Sequence, residues 1–280
     1  MSNQKRESYE IDRNEPTHQF LRARAVAGAI LEAQFKKEVG KVEPSKDYRW
    51  IKAELTWPSF DHLTFGYGNQ IFSVLVEVTD GQQSSLTQRD RNRCSEVALE
   101  NNLIPCVFPV DSTAMRPLAD GWNLIHLVDH GQVIPGERAT DERIPMSEWE
   151  LRNFAIQIVR NHLEEKLNVK VLSFCDVMGI DPQIWFEDAE GARQWVIVRH
   201  YRLIHGNEKQ EFIGSERSNA QLRPYDGHFA AVSFASSEPF LYDLDGSHIP
   251  LSKRFDGSAP LYRGDGFYIK FDGIQRIYVS

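Results

Sequence analysis

The sequence places two acidic side chains at the ends of one predicted β-hairpin. Residues 61–77 read DHLTFGYGNQIFSVLVE, so Asp61 precedes one strand and Glu77 lies near the end of the next. Antiparallel pairing across a short turn is expected to bring the two carboxylates to neighbouring positions. Carboxylate oxygens on adjacent strand ends suit a hard cation such as Mg²⁺, which lowers the pKa of bound water. Asp61 and Glu77 are therefore the candidate catalytic and metal-binding residues; the alternative is that they serve as a turn cap and a strand end.

A second candidate site is a short basic and aromatic group at the end of a later predicted strand. It consists of Arg199, His200, Tyr201 and Arg202. A guanidinium group binds carboxylates and other anions through paired hydrogen bonds, so this group could hold an anion or a carboxylate of a partner protein. The alternative interpretation is a strand end that is simply solvated.

Composition restricts the classes of partner. The chain has 32 basic and 40 acidic residues, hence a formal charge of −8. Such a surface repels a nucleic-acid backbone on average and favours a basic protein partner, so nucleic acid is expected only if the acid pair is catalytic. No cofactor-binding motif is recognised in the sequence.

Cysteine usage and hydropathy suggest a compartment. Three scattered cysteines, Cys94, Cys106 and Cys175, are too few for a disulfide framework and fit a reducing compartment. The first residues are polar, unlike a signal peptide, and no apolar run approaches the length of a membrane span. We therefore expect a cytoplasmic protein with no membrane partner.

The elements that carry Asp61 and Glu77 follow in a clear order. A helix is predicted from Pro16 to Gly40, and a strand over 48–57. The hairpin strands are 62–67 and 71–78, of which the second is almost continuously apolar and is expected at the centre of a sheet. Ser85 and Gln88 resemble a capping box for a helix ending near Asn101. Strand 103–110 contains two prolines, which predicts an edge position.

The same order of elements begins again later in the chain. Proline and glycine punctuate residues 113–145, where one strand is predicted over 122–128. A capping box of Ser147 and Glu150 predicts a helix running to about Leu167. Strands follow at 169–174, 181–186, 195–201 and 229–235. Residues 206–224 have no clear pattern, and Asp-Gly pairs in the tail, including Asp272-Gly273, predict hairpins.

These predictions define an α/β fold of two similar units, each a mixed central sheet flanked by helices, with a C-terminal β-hairpin appendage. The expected domains are a first unit (1–112), a linker with one strand (113–145), a second unit (146–238) and the appendage packed on the second unit (239–280). Asp61 and Asp181 hold similar positions before the two hairpins. An internal duplication and two similar but unrelated units both explain the pattern, and the sequence leaves both open.

The order helix, three strands, helix, strand, with an acid at the start of one hairpin strand and another near the end of the next, resembles the PD-(D/E)XK nuclease fold. In that family an aspartate, a second acid and a lysine two residues further on hold Mg²⁺ and activate water. Asp61 and Glu77 match the two acids, but the lysine position is Thr79. In the second unit Asp181 matches, and the second acid falls near Arg199 or His200. The resemblance therefore implies a nuclease-like scaffold with an incomplete site.

Three functions follow as expectations. The first is a protein-binding or regulatory protein, of the immunity type, on a degenerate nuclease-like scaffold; it is expected to need no cofactor and to be non-catalytic. The second is a Mg²⁺-dependent nuclease that uses Asp61 and Glu77. The third is a self-assembling structural protein.

Overall fold

The computed structural model describes residues 16–38, 48–56, 59–202, 225–238, 241–242, 245–250, 253, 257 and 259–277. The chain divides into two compact units. The first is formed by Asn14–Leu55 and Ser59–Glu142, and the second contains Arg143–Ser280. Each unit has a mixed β-sheet and flanking helices, which confirms the predicted α/β class with two similar units.

The first unit follows the predicted order of elements. They are α1 (His18–Glu38), β1 (Tyr48–Lys52), β2 (Leu63–Tyr67), β3 (Gln70–Thr79), α2 (Gln88–Glu100), β4 (Ile104–Asp111), β5 (Leu124–His126), β6 (Gln132–Val133) and α3 (Pro135–Arg138). Among the described residues the strands form one sheet in the order β1-β2-β3-β4-β5-β6. Only β3 and β4 are parallel, and α2 connects them.

Side-chain alternation along β3 separates the two faces of the first sheet. The even-numbered residues Phe72, Val74, Val76 and Val78 join the core that contains the buried stripe of α1. Leu75 packs instead with Cys94 of α2 in a smaller cluster. Because successive strand residues point to opposite faces, Ser73 and Glu77 also lie on the α2 side.

The second unit repeats this arrangement. Its elements are α4 (Glu148–Asn161), a π-helical turn (His162–Lys166), β7 (Lys170–Phe174), β8 (Ile184–Glu187), β9 (Arg193–Tyr201), β10 (Asp226–Ser236) and β11 (Phe267–Ile277). The described strands form one sheet in the order β11-β10-β9-β8-β7, in which only β9 and β10 are parallel. A core of α4 residues with Val196 and Val198 covers one face, and Trp185, Trp195 and Ile197 belong to a cluster on the other.

The helix starts differ in how well local sequence predicted them. Ser147 is the N-cap of α4 and forms the predicted capping box with Glu150. The predicted box at Ser85 is wrong, because the N-cap of α2 is Thr87, which pairs with Asp90. The Ser85 hydroxyl accepts the backbone N–H of Val78 at 2.8 Å instead, so it stabilises the end of β3.

The edge position predicted for residues 103–110 is also wrong. Strand β4 lies between β3 and β5. Its pairing with β5 is limited to Cys106 and Val107, and neither Pro105 nor Pro109 lies in that short ladder. A missing proline N–H therefore breaks no bond between β4 and β5, which removes the usual reason for placing prolines at an edge.

The chain around the predicted linker and the tail contributes to the two sheets. Residues 113–145 contain β5, β6 and α3, and the boundary between the two compact units in this part of the sequence follows Glu142. In the tail, Asp245-Gly246 turns the chain, but Asp272-Gly273 lies within β11, where the register with β10 shifts. The predicted hairpin at that pair is therefore a bulge in one strand. Residues 206–224 fall outside the described residues. In the described parts of the chain, no helix is long and apolar enough to span a bilayer.

Candidate functional site

Asp61 lies two residues before β2, and its carboxylate contacts the side chains of Lys52, Thr64 and Ser73. The Lys52 ammonium forms an ion pair with its Oδ1 atom. The hydroxyls of Thr64 and Ser73 donate to Oδ2 at 2.6 and 2.7 Å. Side chains of Asp61 and Lys52 are only 0% and 1% exposed, so the pair is shielded from water. The carboxylate is thus neutralised and hydrogen-bonded within the fold.

Sequence reasoning missed Lys52, which is the most important partner of Asp61. The predicted lysine position was two residues after Glu77, on β3, whereas Lys52 ends β1. Its ammonium also lies 4.6 Å from the centre of the Phe60 ring. A β-bulge between Trp50 and Lys52 turns this side chain to the α2 side of the sheet. The available signal was a lysine that directly follows the apolar residues Trp50 and Ile51 of the strand.

Glu77 has a different partner and does not share the surroundings of Asp61. Arg91 of α2 forms an ion pair with its carboxylate, which is 12% exposed. Ser73, the residue of β3 that touches Asp61, lies four residues before Glu77, a separation of about 13 Å along a strand. The predicted convergence of Asp61 and Glu77 is therefore absent from the hydrogen-bond and ion-pair pattern of these two residues.

A divalent cation does not fit this arrangement. In the described ranges, no three His, Cys, Asp or Glu side chains come together in a way that could hold a metal ion. The Asp61 carboxylate already binds an ammonium group and two hydroxyls. Thr79 stands at the lysine position, and its hydroxyl accepts the N–H of Gly81 at 3.0 Å.

His62 and Cys94 lie near the buried ion pair of Lys52 with Asp61, and the environment of each indicates a structural role. The backbone N–H of Val76 donates to His62 Nδ1 at 2.8 Å. Burial, aided by the positive charges of Lys52 and Arg24, lowers the pKa of His62 to about 4, so the imidazole is neutral near pH 7. Burial raises the pKa of Cys94 to about 12, so its thiol is protonated and unreactive near pH 7.

In the second unit Asp181 is paired with Arg199 of β9. The guanidinium donates to both carboxylate oxygens, from Nη1 to Oδ1 at 2.9 Å and from Nη2 to Oδ2 at 2.7 Å. Burial raises the pKa of Asp181, but the hydrogen bond and positive charge of Arg199 outweigh it and hold the pKa below its ordinary value of 3.8. Arg152 of α4 adds a second nearby positive charge. The acid position of the second unit thus contains an arginine.

His200 and Arg202 do not share a surface with Arg199. The His200 Nε2 and Glu148 Oε2 atoms are 2.7 Å apart, and Arg202 Nη2 donates to Glu148 Oε1 at 2.6 Å. Alternation along the strand explains the separation, because residues 200 and 202 point away from residues 199 and 201. Tyr201 is half-buried on the side of Arg199. The group that looked continuous in sequence consists of two separate ion-pair sites.

Gln183 performs in the second unit the task that His62 performs in the first. Val198 N–H donates to Gln183 Oε1 at 2.6 Å, as Val76 N–H donates to His62 Nδ1. The backbone N–H groups of both residues also donate to the paired strand, His62 to Val74 and Gln183 to Val196. Two chemically different side chains thus extend the hairpin pairing of each unit by one hydrogen bond.

Comparisons with known proteins concern the second unit. Residues 149–277 match the family model of a domain of unknown function, DUF8840. The match starts at Trp149 in α4 and ends at Ile277, the last residue of β11, so it spans the sheet of the second unit. Comparison with curated proteins yielded no match, and comparison with solved structures yielded none.

Proposed function

We propose that this chain is a cytoplasmic protein-binding or regulatory protein of the immunity type, built on two copies of a nuclease-like scaffold that lack a working metal site. The observation that carries the proposal is the buried ion pair of Lys52 with Asp61. A carboxylate that already has a fixed positive partner is a poor ligand for Mg²⁺. The bidentate pair of Arg199 with Asp181 provides the corresponding argument in the second unit.

The order of elements supports the scaffold part of this proposal. Each sheet has two antiparallel pairings followed by one parallel pairing, β3 with β4 and β9 with β10. The first unit also has the order helix, three strands, helix, strand that the resemblance to the PD-(D/E)XK fold implies. His62 and Gln183 hold matching positions and accept equivalent backbone hydrogen bonds although their side chains differ. This shared detail favours duplication over chance similarity.

The net charge of −8 supports a basic protein partner. The three buried free cysteines fit a reducing cytoplasm. Folds commonly persist after the original chemistry of a site is lost, and protein contacts are then a remaining use of the scaffold.

The decisive test of this function has two arms. The purified chain, incubated with Mg²⁺ or Mn²⁺, is expected to leave DNA and RNA intact. A tagged chain is expected to capture a specific protein from its native cell, and the purified pair is expected to bind with a measurable Kd that weakens at high salt. Failure to reconstitute binding with any captured protein contradicts the binding function, while the state of the metal site is decided separately by the nuclease arm.

The rival nuclease function requires Asp61 and Glu77 to act together with Mg²⁺. Cleavage that disappears in both Asp61→Asn and Glu77→Ala, with folding intact by circular dichroism, would establish the rival and reject the degenerate site. The third function, a self-assembling structural protein, is tested by the size of the purified chain in light scattering. The proposed function predicts a defined species whose size does not grow with concentration, whereas self-assembly predicts growth.

A further inference from the structure

We infer that each unit contains an internal cation that takes the place of a metal ion beside its buried aspartate, and that the cation sits on a different strand in each unit. It is Lys52 in the first unit and Arg199 in the second. This inference rests on the nuclease-like scaffold of the proposed function; it concerns how the buried acids are neutralised and is independent of which partner the protein binds.

The strand registers align β2 and β3 with β8 and β9, and in this alignment Asp61 lies two residues before β2 whereas Asp181 lies three residues before β8. Val76 and Val198 each donate their N–H to the side chain that precedes the second strand of the unit. The next residue along the central strand is Glu77 in the first unit and Arg199 in the second. The position that holds an acid in one unit therefore holds a base in the other.

A second correspondence is provided by the first strand of each sheet. The register shifts between Trp50 and Lys52 in β1 and between Val171 and Ser173 in β7, so both strands carry a bulge at the same place. Lys52 and Ser173 immediately follow these bulges and therefore correspond. Ser173 is buried, and its hydroxyl has no hydrogen-bond partner among the described residues.

These two correspondences show an exchange of charge between strands. The first unit combines Lys52 on the outer strand with Glu77 on the central strand, and the second combines Ser173 with Arg199. In both units a single basic side chain from these two positions forms the ion pair with the aspartate. A buried carboxylate is unstable without such a partner, and either strand can supply it. Because Lys52 of β1 already neutralises Asp61, the first unit needs no lysine two residues after Glu77.

The test moves the cation of the second unit to the strand used by the first. In the full chain, Arg199→Gln is expected to lower Tm by about 5 °C or more, because Asp181 loses its bidentate partner. Adding Ser173→Lys to Arg199→Gln is expected to recover at least half of that loss. The same Ser173→Lys change in the wild-type background is expected to lower Tm, because it places a second positive charge near Arg199. A double-mutant cycle measures this change of sign.

Ser173→Met in the Arg199→Gln background is the matched control, since methionine has similar length and no charge. Equal recovery by methionine and lysine, or no recovery by lysine, would overturn the inference. If Arg199→Gln does not fold alone, folding restored by Ser173→Lys but not by Ser173→Met supports it, and failure of both rejects it.

A metal titration provides the second arm. Wild-type Tm is expected to stay unchanged when KCl is replaced by Mg²⁺ or Mn²⁺ at equal ionic strength, because the internal cations already neutralise both aspartates. A saturable rise in Tm that Asp61→Asn or Asp181→Asn removes would show that a metal binds there and would overturn the inference.

Discussion

At the residue scale, the environment of Asp61 decides what this acid can do. One ammonium and two hydroxyl groups bind the carboxylate in a region that water does not reach. Transfer of a charge from water to such a region is unfavourable unless the charge is paired and hydrogen-bonded. Asp61 satisfies both conditions through its neighbours, so its role is to join β1, β2 and β3.

The first prediction concerns the partner of this acid. Lys52→Met is expected to lower the free energy of unfolding by about 3–5 kcal/mol, because it leaves a buried carboxylate without its cation. Urea denaturation followed by circular dichroism measures the loss. Lys36→Met is the control: Lys36 is exposed and 3.7 Å from Glu32, and such surface pairs contribute about 0–1 kcal/mol. Equal losses in the two variants would show that the Lys52 pair has no special weight.

The second prediction tests the correspondence between His62 and Gln183. His62→Gln is expected to retain most of the stability, because a glutamine oxygen can accept the Val76 N–H as Gln183 accepts that of Val198. His62→Leu is expected to cost about 1–3 kcal/mol more, since it leaves the buried N–H without an acceptor. Chemical denaturation of both variants provides the comparison. A glutamine variant no more stable than the leucine variant would contradict the shared role.

At the scale of elements, side chains at the first turn of α4 connect this helix to other parts of the second unit. Ser147 caps the helix, and Glu150 completes the capping box. Arg263 donates to both carboxylate oxygens of Glu150 at 2.9 Å and ties the tail to the helix start. Glu148 meanwhile binds His200 and Arg202 at the end of β9. Two acidic side chains thus fix the start of one helix to two other parts of the second unit.

The third prediction is a pH dependence at this helix start. The hydrogen bond from His200 and the charge of Arg202 outweigh burial and lower the pKa of Glu148 below its ordinary value of 4.5. A carboxyl group whose pKa is lower in the folded state stabilises the fold above pH 4.5, and this contribution is lost as the pH falls through the folded pKa. Glu148→Gln is therefore expected to be less stable than wild type at pH 6, and the difference is expected to shrink below pH 4.5.

Thermal unfolding between pH 3 and pH 7 measures this effect. Glu165→Gln is a suitable control, because Glu165 is an exposed acid of the following π-helical turn. A difference between wild type and Glu148→Gln that stays constant across this pH range would reject the assigned role of the Glu148 carboxylate.

At the scale of the whole molecule, each unit has its own hydrophobic core. Phe65 belongs to the core of the first unit and Phe186 to that of the second, and the strand registers place them at corresponding positions. Compact units with separate cores commonly respond separately to local damage. Two similar cores in one chain are thus expected to behave as two regions of stability.

The fourth prediction follows from these cores. Phe65→Ala is expected to destabilise its unit by about 3–5 kcal/mol, the usual cost of removing a buried phenylalanine ring. Hydrogen exchange read by mass spectrometry is expected to rise mainly in peptides from residues 59–142. The matched variant Phe186→Ala is expected to give the reverse pattern, with faster exchange mainly in residues 148–202. A uniform rise across both units in either variant would show a single cooperative unit instead.

Local sequence was sufficient for much of the architecture. The periodicity of α1, the capping box at Ser147 and the apolar strands β3 and β9 all depend on neighbours in the chain. Their order predicted two similar α/β units, because each apolar strand needs covering elements on both faces. The backbone dihedral angles and side-chain alternation of a strand depend on a few neighbouring residues. The apolar patterns of residues 71–78 and 195–201 were therefore sufficient to predict these two strands.

The chemistry of the acids was decided only by the tertiary structure. A carboxylate takes its properties from whichever groups the strand register brings to it, and register depends on features such as the bulge before Lys52. Sequence placed Asp61 with Glu77, whereas the fold pairs Asp61 with Lys52 and Glu77 with Arg91. In the same way, the sequence grouped Arg199 with His200. Strand alternation places them on opposite faces, where Arg199 pairs with Asp181 and His200 with Glu148. Spacing along the chain thus identified the acids and bases, and contacts between strands determined which of them neutralise one another.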